Sequence, residues 1–117
     1  MHRSWTEVRR HFSELPKEAP WAHGLISLID HVMASPLAAD LYPWTSVIDL
    51  CIAQAPPSPA GNAPYLRVSP LPSGQLEFRY VDTIVSAQQW VRVVAPDVAV
   101  NRFDSFVGQL HWLRRAS

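Results

Sequence analysis

The chain has 117 residues, of which 48% are hydrophobic and 17% charged, with ten basic and ten acidic residues and no formal net charge. That length suits one domain with a core of its own, and the composition argues against a disordered chain. No basic surplus exists to neutralise phosphates, so nucleic acid is not expected as a partner. No apolar run reaches membrane-spanning length, so no membrane is expected either.

Met1 to Trp5 pass directly into a polar helical pattern, without the apolar core of a signal peptide. Together with a single cysteine, Cys51, this makes a cytoplasmic protein the expectation. Nine of the ten basic residues are arginine. With the many Ala and Pro residues, this fits a GC-rich bacterial genome. Five tryptophans are many for the length, and Trp serves both cores and binding hot spots.

Ser4 opens a first helix, with Glu7 at capping-box spacing. Trp5, Val8, Phe12 and Leu15 follow as a narrow apolar stripe, and Pro16 to Pro20 reads as a linker. A second helix spans about Trp21 to Ala34, with Trp21, Leu25, Leu28, Ile29 and Val32 facing a core. His23, Ser27, Asp30 and His31 share its polar side. Triad groups converge on one atom and helical metal ligands sit three or four residues apart, so this stripe reads as a solvated face. A short helical turn is expected around Ala38 to Leu41.

Trp44 to Gln54 reads as one strand. Ser46, Ile48, Leu50 and Ile52 should face the helices, with Val47, Asp49, Cys51 and Ala53 on the other side. Cys51 reads as an inert small apolar residue. Ala55 to Pro64 holds four of the eleven prolines and reads as a loop.

Tyr65 to Tyr80 is the clearest signal, a hairpin. Leu66, Val68 and Pro70 alternate on one arm, and Leu76, Phe78 and Tyr80 on the other. The register that unites them places Pro72, Ser73 and Gly74 in the turn, where proline suits the first position and glycine the last. It also sets Tyr65 opposite Val81, Arg67 opposite Arg79, and Ser69 opposite Glu77. Opposed like charges are unfavourable by up to ~1 kcal/mol, so Arg67 and Arg79 call for a counter-charge: Glu77, an acid such as Asp49 on a neighbouring strand, or an anionic ligand or partner.

Asp82 to Pro96 carries both helical and alternating patterns. The β-branched density of Val91 to Val94 favours a strand over about Gln89 to Val94. A last helix is expected from an N-cap at Asp97 to about Arg114, with Val100, Phe103, Val107 and Leu110 as its stripe, widened by Phe106 and Leu113. Trp112 falls away from that stripe among Asn101, Ser105, Gly108 and Gln109. That position suggests a docking point for the first helix or a second subunit.

The expected fold is α+β in the order ααβββ(β)α. Three or four antiparallel strands carry two N-terminal helices and one C-terminal helix on one face. No motif implies a cofactor or a metal. The leading functional expectation is a small interaction protein, comparable in size and class to immunity proteins, adaptors or secretion chaperones. Its partner would be another protein or a second copy of itself, contacted through Arg67, Arg79, Asp49, Tyr65, Glu77 and Trp112. The alternative is an anionic small-molecule site at the sheet edge, enzymatic or not, with Arg67 and Arg79 as its cations and Tyr65 or Trp44 as its wall. An enzyme pairing Cys51 with a histidine ranks third.

Overall fold

A computed structural model describes residues 4–14, 24–46, 48–54, 64–82 and 85–110. Within them lie α1 (Trp5–Ser13), α2 (Gly24–Met33), α3 (Leu37–Asp40), β1 (Tyr42–Ser46), β2 (Asp49–Ala53), β3 (Tyr65–Pro70), β4 (Leu76–Val81), β5 (Trp90–Val94) and α4 (Ala99–Gln109). The strands form one antiparallel sheet in the order β1-β2-β3-β4-β5, each beside its neighbour in the chain.

The β3–β4 hairpin has the register that its alternation requires. Val68 pairs with Phe78, Leu66 with Tyr80 and Arg67 with Arg79. Leu71 donates its N–H to the Gln75 carbonyl at 2.9 Å, and Gly74 closes the turn at φ +91°. That φ is costly for a residue with a Cβ, which is why the turn ends on glycine. Leu66, Val68, Leu76 and Phe78 are completely buried on the helix side, together with Leu50 and Ile52 of β2.

Three helices close this face. Trp5, Val8 and Phe12 of α1, Leu25, Leu28, Ile29 and Val32 of α2, and Phe103, Phe106 and Val107 of α4 join one apolar cluster with the strands. The capping box at Ser4 forms in both directions. Trp5 Nε1 donates to the Leu41 carbonyl at 3.2 Å, tying α1 to the entrance of β1. The polar side of α2 is more than a solvated face. Asp30 accepts from Arg9 of α1 at 2.6 Å, and His31 Nε2 lies 2.9 Å from Asp104 of α4. One helix thereby brackets the other two. The guanidinium of Arg9 holds the Asp30 carboxyl below its ordinary range, chiefly through the hydrogen bond.

Three sequence expectations change. The sheet has five strands, because the stretch read as one strand from Trp44 to Gln54 is two. The chain reverses between Ser46 and Asp49, which pair across β1 and β2. This reversal carries Ser46 to the face opposite the one its alternation assigned. The last helix does not start from an N-cap at Asp97. Asp97 sits in a 3-10 turn over Pro96–Val98, and α4 follows from Ala99 without a side-chain cap. Between β4 and β5, Asp82 is 4% exposed and accepts the Val85 N–H at 2.8 Å, while its own N–H donates to Gln89 Oε1. This buried carboxylate organises a reversal that no Gly or Pro announces. The expectations for Leu15 to His23, the Ala55–Ala63 part of the proline loop, Trp112 and Leu113 lie outside the described residues.

Substituting Gly74→Ala tests the turn. Nothing lies within 4 Å of the added Cβ, so the whole penalty is conformational. The expected loss is about 1 kcal/mol, read as a lower urea midpoint at unchanged slope.

Candidate functional site

The helices all pack on one side of the sheet, and the ladder fixes what stands on the other. Across the middle of that second face run Trp44, Cys51, Arg67, Arg79 and Val91, each paired with the next. One step away Ser46 pairs with Asp49, and Ser69 with Glu77, which in turn pairs with Val93. On the other side of the middle row, Tyr65 pairs with Val81. Of the residues singled out from sequence, five share this face: Arg67, Arg79, Asp49, Tyr65 and Glu77. Trp112 lies outside the described residues.

The opposed guanidiniums are relieved from within the sheet. Arg67 Nε donates to Asp49 Oδ2 at 2.6 Å, and its Nη2 reaches Ser46 Oγ at 3.3 Å. Arg79 Nη2 donates to Glu77 Oε1 at 3.1 Å. The two arginines therefore turn to different acids, one on the preceding strand and one two residues along the same strand. Burial works against the charge of Arg67. The hydrogen bond and charge of Asp49 outweigh it, and the Arg67 pKa rises. The two ion pairs differ in exposure. Asp49 keeps 15% of its side chain exposed, whereas Arg79 keeps 52%. Partly buried pairs resist screening, but exposed ones contribute little to stability. Arg67–Asp49 is thus the structural pair, and Arg79 is the cation that solvent or a partner reaches.

The face also grades in exposure. Around β2 it is closed: Cys51 and Ala53 are buried. Trp44 and Tyr65 pack with ring centroids 5.1 Å apart and their planes tilted by 58°. Toward β5 it opens, with Val91 and Val93 among the most exposed large apolar residues described. Two shallow depressions mark it. One, of about 420 Å³, is lined by Asp49, Tyr65, Arg67, Ser69, Glu77, Arg79 and Val81. The other, of about 210 Å³, shares Arg79 and Val81 and adds Gln89, Trp90 and Val91. Arg79 and Val81 border both.

Val81, Val91 and Val93 were not among the sequence candidates. Val81 was placed on this face by the hairpin register, opposite Tyr65; the signal for Val91 and Val93 was the period-two alternation of β5, which places Val91 with Arg79 once the two strands are paired. As for chemistry, Cys51 is poorly suited to nucleophilic work. Burial is the main cause pushing its thiol up to about 11, whereas a reactive cysteine needs a depressed pKa and access. Among the described residues no group of three or more His, Cys, Asp or Glu side chains is placed to hold a metal ion, and no helix is long and apolar enough to cross a membrane.

No protein-family model matches the chain, and no curated protein or solved structure matches it significantly.

The sealed thiol should be inert in the folded protein. At pH 8 an aromatic disulfide reagent is expected to label Cys51 only as fast as the chain unfolds, with stoichiometric labelling in denaturant. The sign of the pH dependence follows. The unfolded thiol ionises near 9.0 and the folded one near 11, so its contribution to stability is complete below pH 9.0 and is lost as pH rises toward 11. Cys51→Ala should flatten that alkaline decline in chemical-denaturation curves.

Proposed function

We propose that this protein is a non-catalytic interaction module whose second sheet face docks on another protein. One observation carries the reading. Arg79 borders both depressions of that face and is more than half exposed despite its bond to Glu77, next to the exposed Val91. A reachable arginine beside apolar side chains, rimmed by charge that cancels locally, has the composition of a docking surface. The matching surface would present an apolar strip with an acid placed to share Arg79. Such a contact gains specificity from the charge pattern and affinity from covering Val81, Val91 and Val93. The immunity-protein, adaptor and chaperone classes all work by docking of this kind, and the cytoplasm is the compartment in which we place it.

A second reading rests on the larger depression, whose volume of about 420 Å³ falls in the range of small-molecule sites. An anion held by Arg67 and Arg79 against Tyr65 is its natural ligand. The reading is weaker because both guanidiniums already hold carboxylates, so the ligand would have to displace them or add to a site without net charge.

Arg79→Ala separates binding from folding. Removing a largely exposed ion pair should lower the melting temperature by less than about 5 °C. A protein captured from its own lysate by the wild type should be lost by Arg79→Ala, and kept by a control variant on the helix side, Ser27→Glu. Capture unchanged by Arg79→Ala, or a collapse of melting temperature in its place, would remove the basis of the proposal. Inorganic phosphate or citrate tests the second reading. A rise in melting temperature that disappears in Arg67→Gln supports the small-anion site.

A further inference from the structure

The two edges of the sheet are built differently, and the hydrogen-bond phase of the ladder shows how. Leu71 N–H bonds to the Gln75 carbonyl. Stepping back two residues at a time, Ser69–Glu77, Arg67–Arg79 and Tyr65–Val81 are the pairs whose main-chain groups face each other across β3 and β4. Leu76, Phe78 and Tyr80 therefore turn their N–H and C=O groups toward β5, where they meet Val94, Arg92 and Trp90. Val91 and Val93 are left aiming their N–H and C=O groups out of the sheet. A separate contact agrees: Arg92 Nη1 donates to the Val91 carbonyl at 2.8 Å, as an outward-facing carbonyl allows.

The same phase followed the other way makes Pro43 an outward-facing position of β1. Proline there removes an edge donor, a standard protection of a free strand. Among the described residues β5 has no such protection. It carries no proline, and Val91 and Val93 are 44% and 50% exposed. Arg92 is its one charged residue.

We infer that β5 is a self-pairing edge, and that two copies of this chain join antiparallel through it about a two-fold axis at Val91, making one ten-stranded sheet. The sequence of β5 is complementary to itself in this register. Val91 meets the partner's Val91 and exchanges both main-chain bonds with it. Trp90 lies opposite the partner's Arg92, and Gln89 opposite the partner's Val93. Within one copy the Arg92 guanidinium already lies 5.6 Å from the centroid of the Trp90 ring, the distance of a cation–π contact. Pairing reproduces that contact across the axis, and the partner's N–H takes the place of Arg92 on the Val91 carbonyl. A two-fold at Arg92 would oppose two guanidiniums, and one at Val93 would lose the Trp–Arg match. The inference goes beyond the docking face and does not depend on its occupant, because the edge is defined by main-chain groups.

Light scattering or sedimentation of the purified protein from about 10 to about 500 µM tests it. The expected mass at the upper end is twice the 13.2 kDa of one chain. Val91→Glu and Val91→Lys each place two like charges directly opposed at the axis and should raise the dissociation constant on the order of tenfold or more. An equal mixture of the two variants should recover a dimer, since Glu and Lys then face each other. In the wild type, hydrogen exchange at the Val91 and Val93 amides should slow with concentration, a readout that needs no variant. A monomer across the whole range, a dimer indifferent to both substitutions, or a mixture that fails to recover would each overturn the inference. Mass and exchange report pairing whether or not the face captures a protein, so the two proposals fail separately.

Discussion

The register of β3 against β4 is the constraint on which the rest depends. A strand has two faces and a period of two, so a slip of one residue would move every core side chain into solvent. Burial of Leu66, Val68, Leu76 and Phe78 therefore forbids any other alignment, and the Gly74 turn fits only this one. Each further strand inherits its phase from this pair. Leu50 meets Val68 and Val94 meets Leu76, so both strands flanking the hairpin deliver their apolar residues to the same side. The placement of Arg67 opposite Arg79 is a by-product of the same alignment, as is the row of charged residues on the face away from the helices.

That by-product is resolved in a way that divides the face. The acids that relieve the two arginines lie on different strands and at different depths, so one pair stiffens the closed part and the other stays reachable. If Asp49 and Glu77 had both been buried, the face would be pure architecture. If neither had been present, it would be an anion site. The observed arrangement lies between the two, with charge cancelled overall but reachable locally, and this suits recognition of a patterned surface better than capture of a lone anion.

The parts legible in the sequence share a property: each was stated twice, once by alternation and once by turn or cap chemistry. The hairpin from Tyr65 to Tyr80 had both, and so did α1, with Ser4 and Glu7. β5 was legible through its run of β-branched residues, although the stretch before it was not. The misread parts lack the second signal. Between Ser46 and Asp49 the chain reverses without Gly, Pro or Asn, so alternation ran through the turn and joined two strands into one. The turn after β4 depends on a buried aspartate, whose role is visible only once Val85 and Gln89 are brought to it. Four of the five located site residues followed from the hairpin alone, and Asp49 joined them because its own strand kept its phase. The contribution of Val91 and Val93 was hidden, since knowing which of two alternating sets faces outward requires the pairing partner.

The meander also bears on how the chain reaches this state. Every strand pairs with its neighbour in sequence, so the sheet can grow one hairpin at a time with small loops to close. The contact between His31 and Asp104 is of another kind, for 73 residues separate them. It belongs to the seam where α4 lies beside α2, and no hairpin of the sheet brings those two parts of the chain together. The helix layer is complete only when α4 lies against α2, with Phe106 against Phe78 and Trp90 of the sheet. Docking α4 therefore closes a far longer loop than any hairpin of the sheet, at a higher cost in chain entropy.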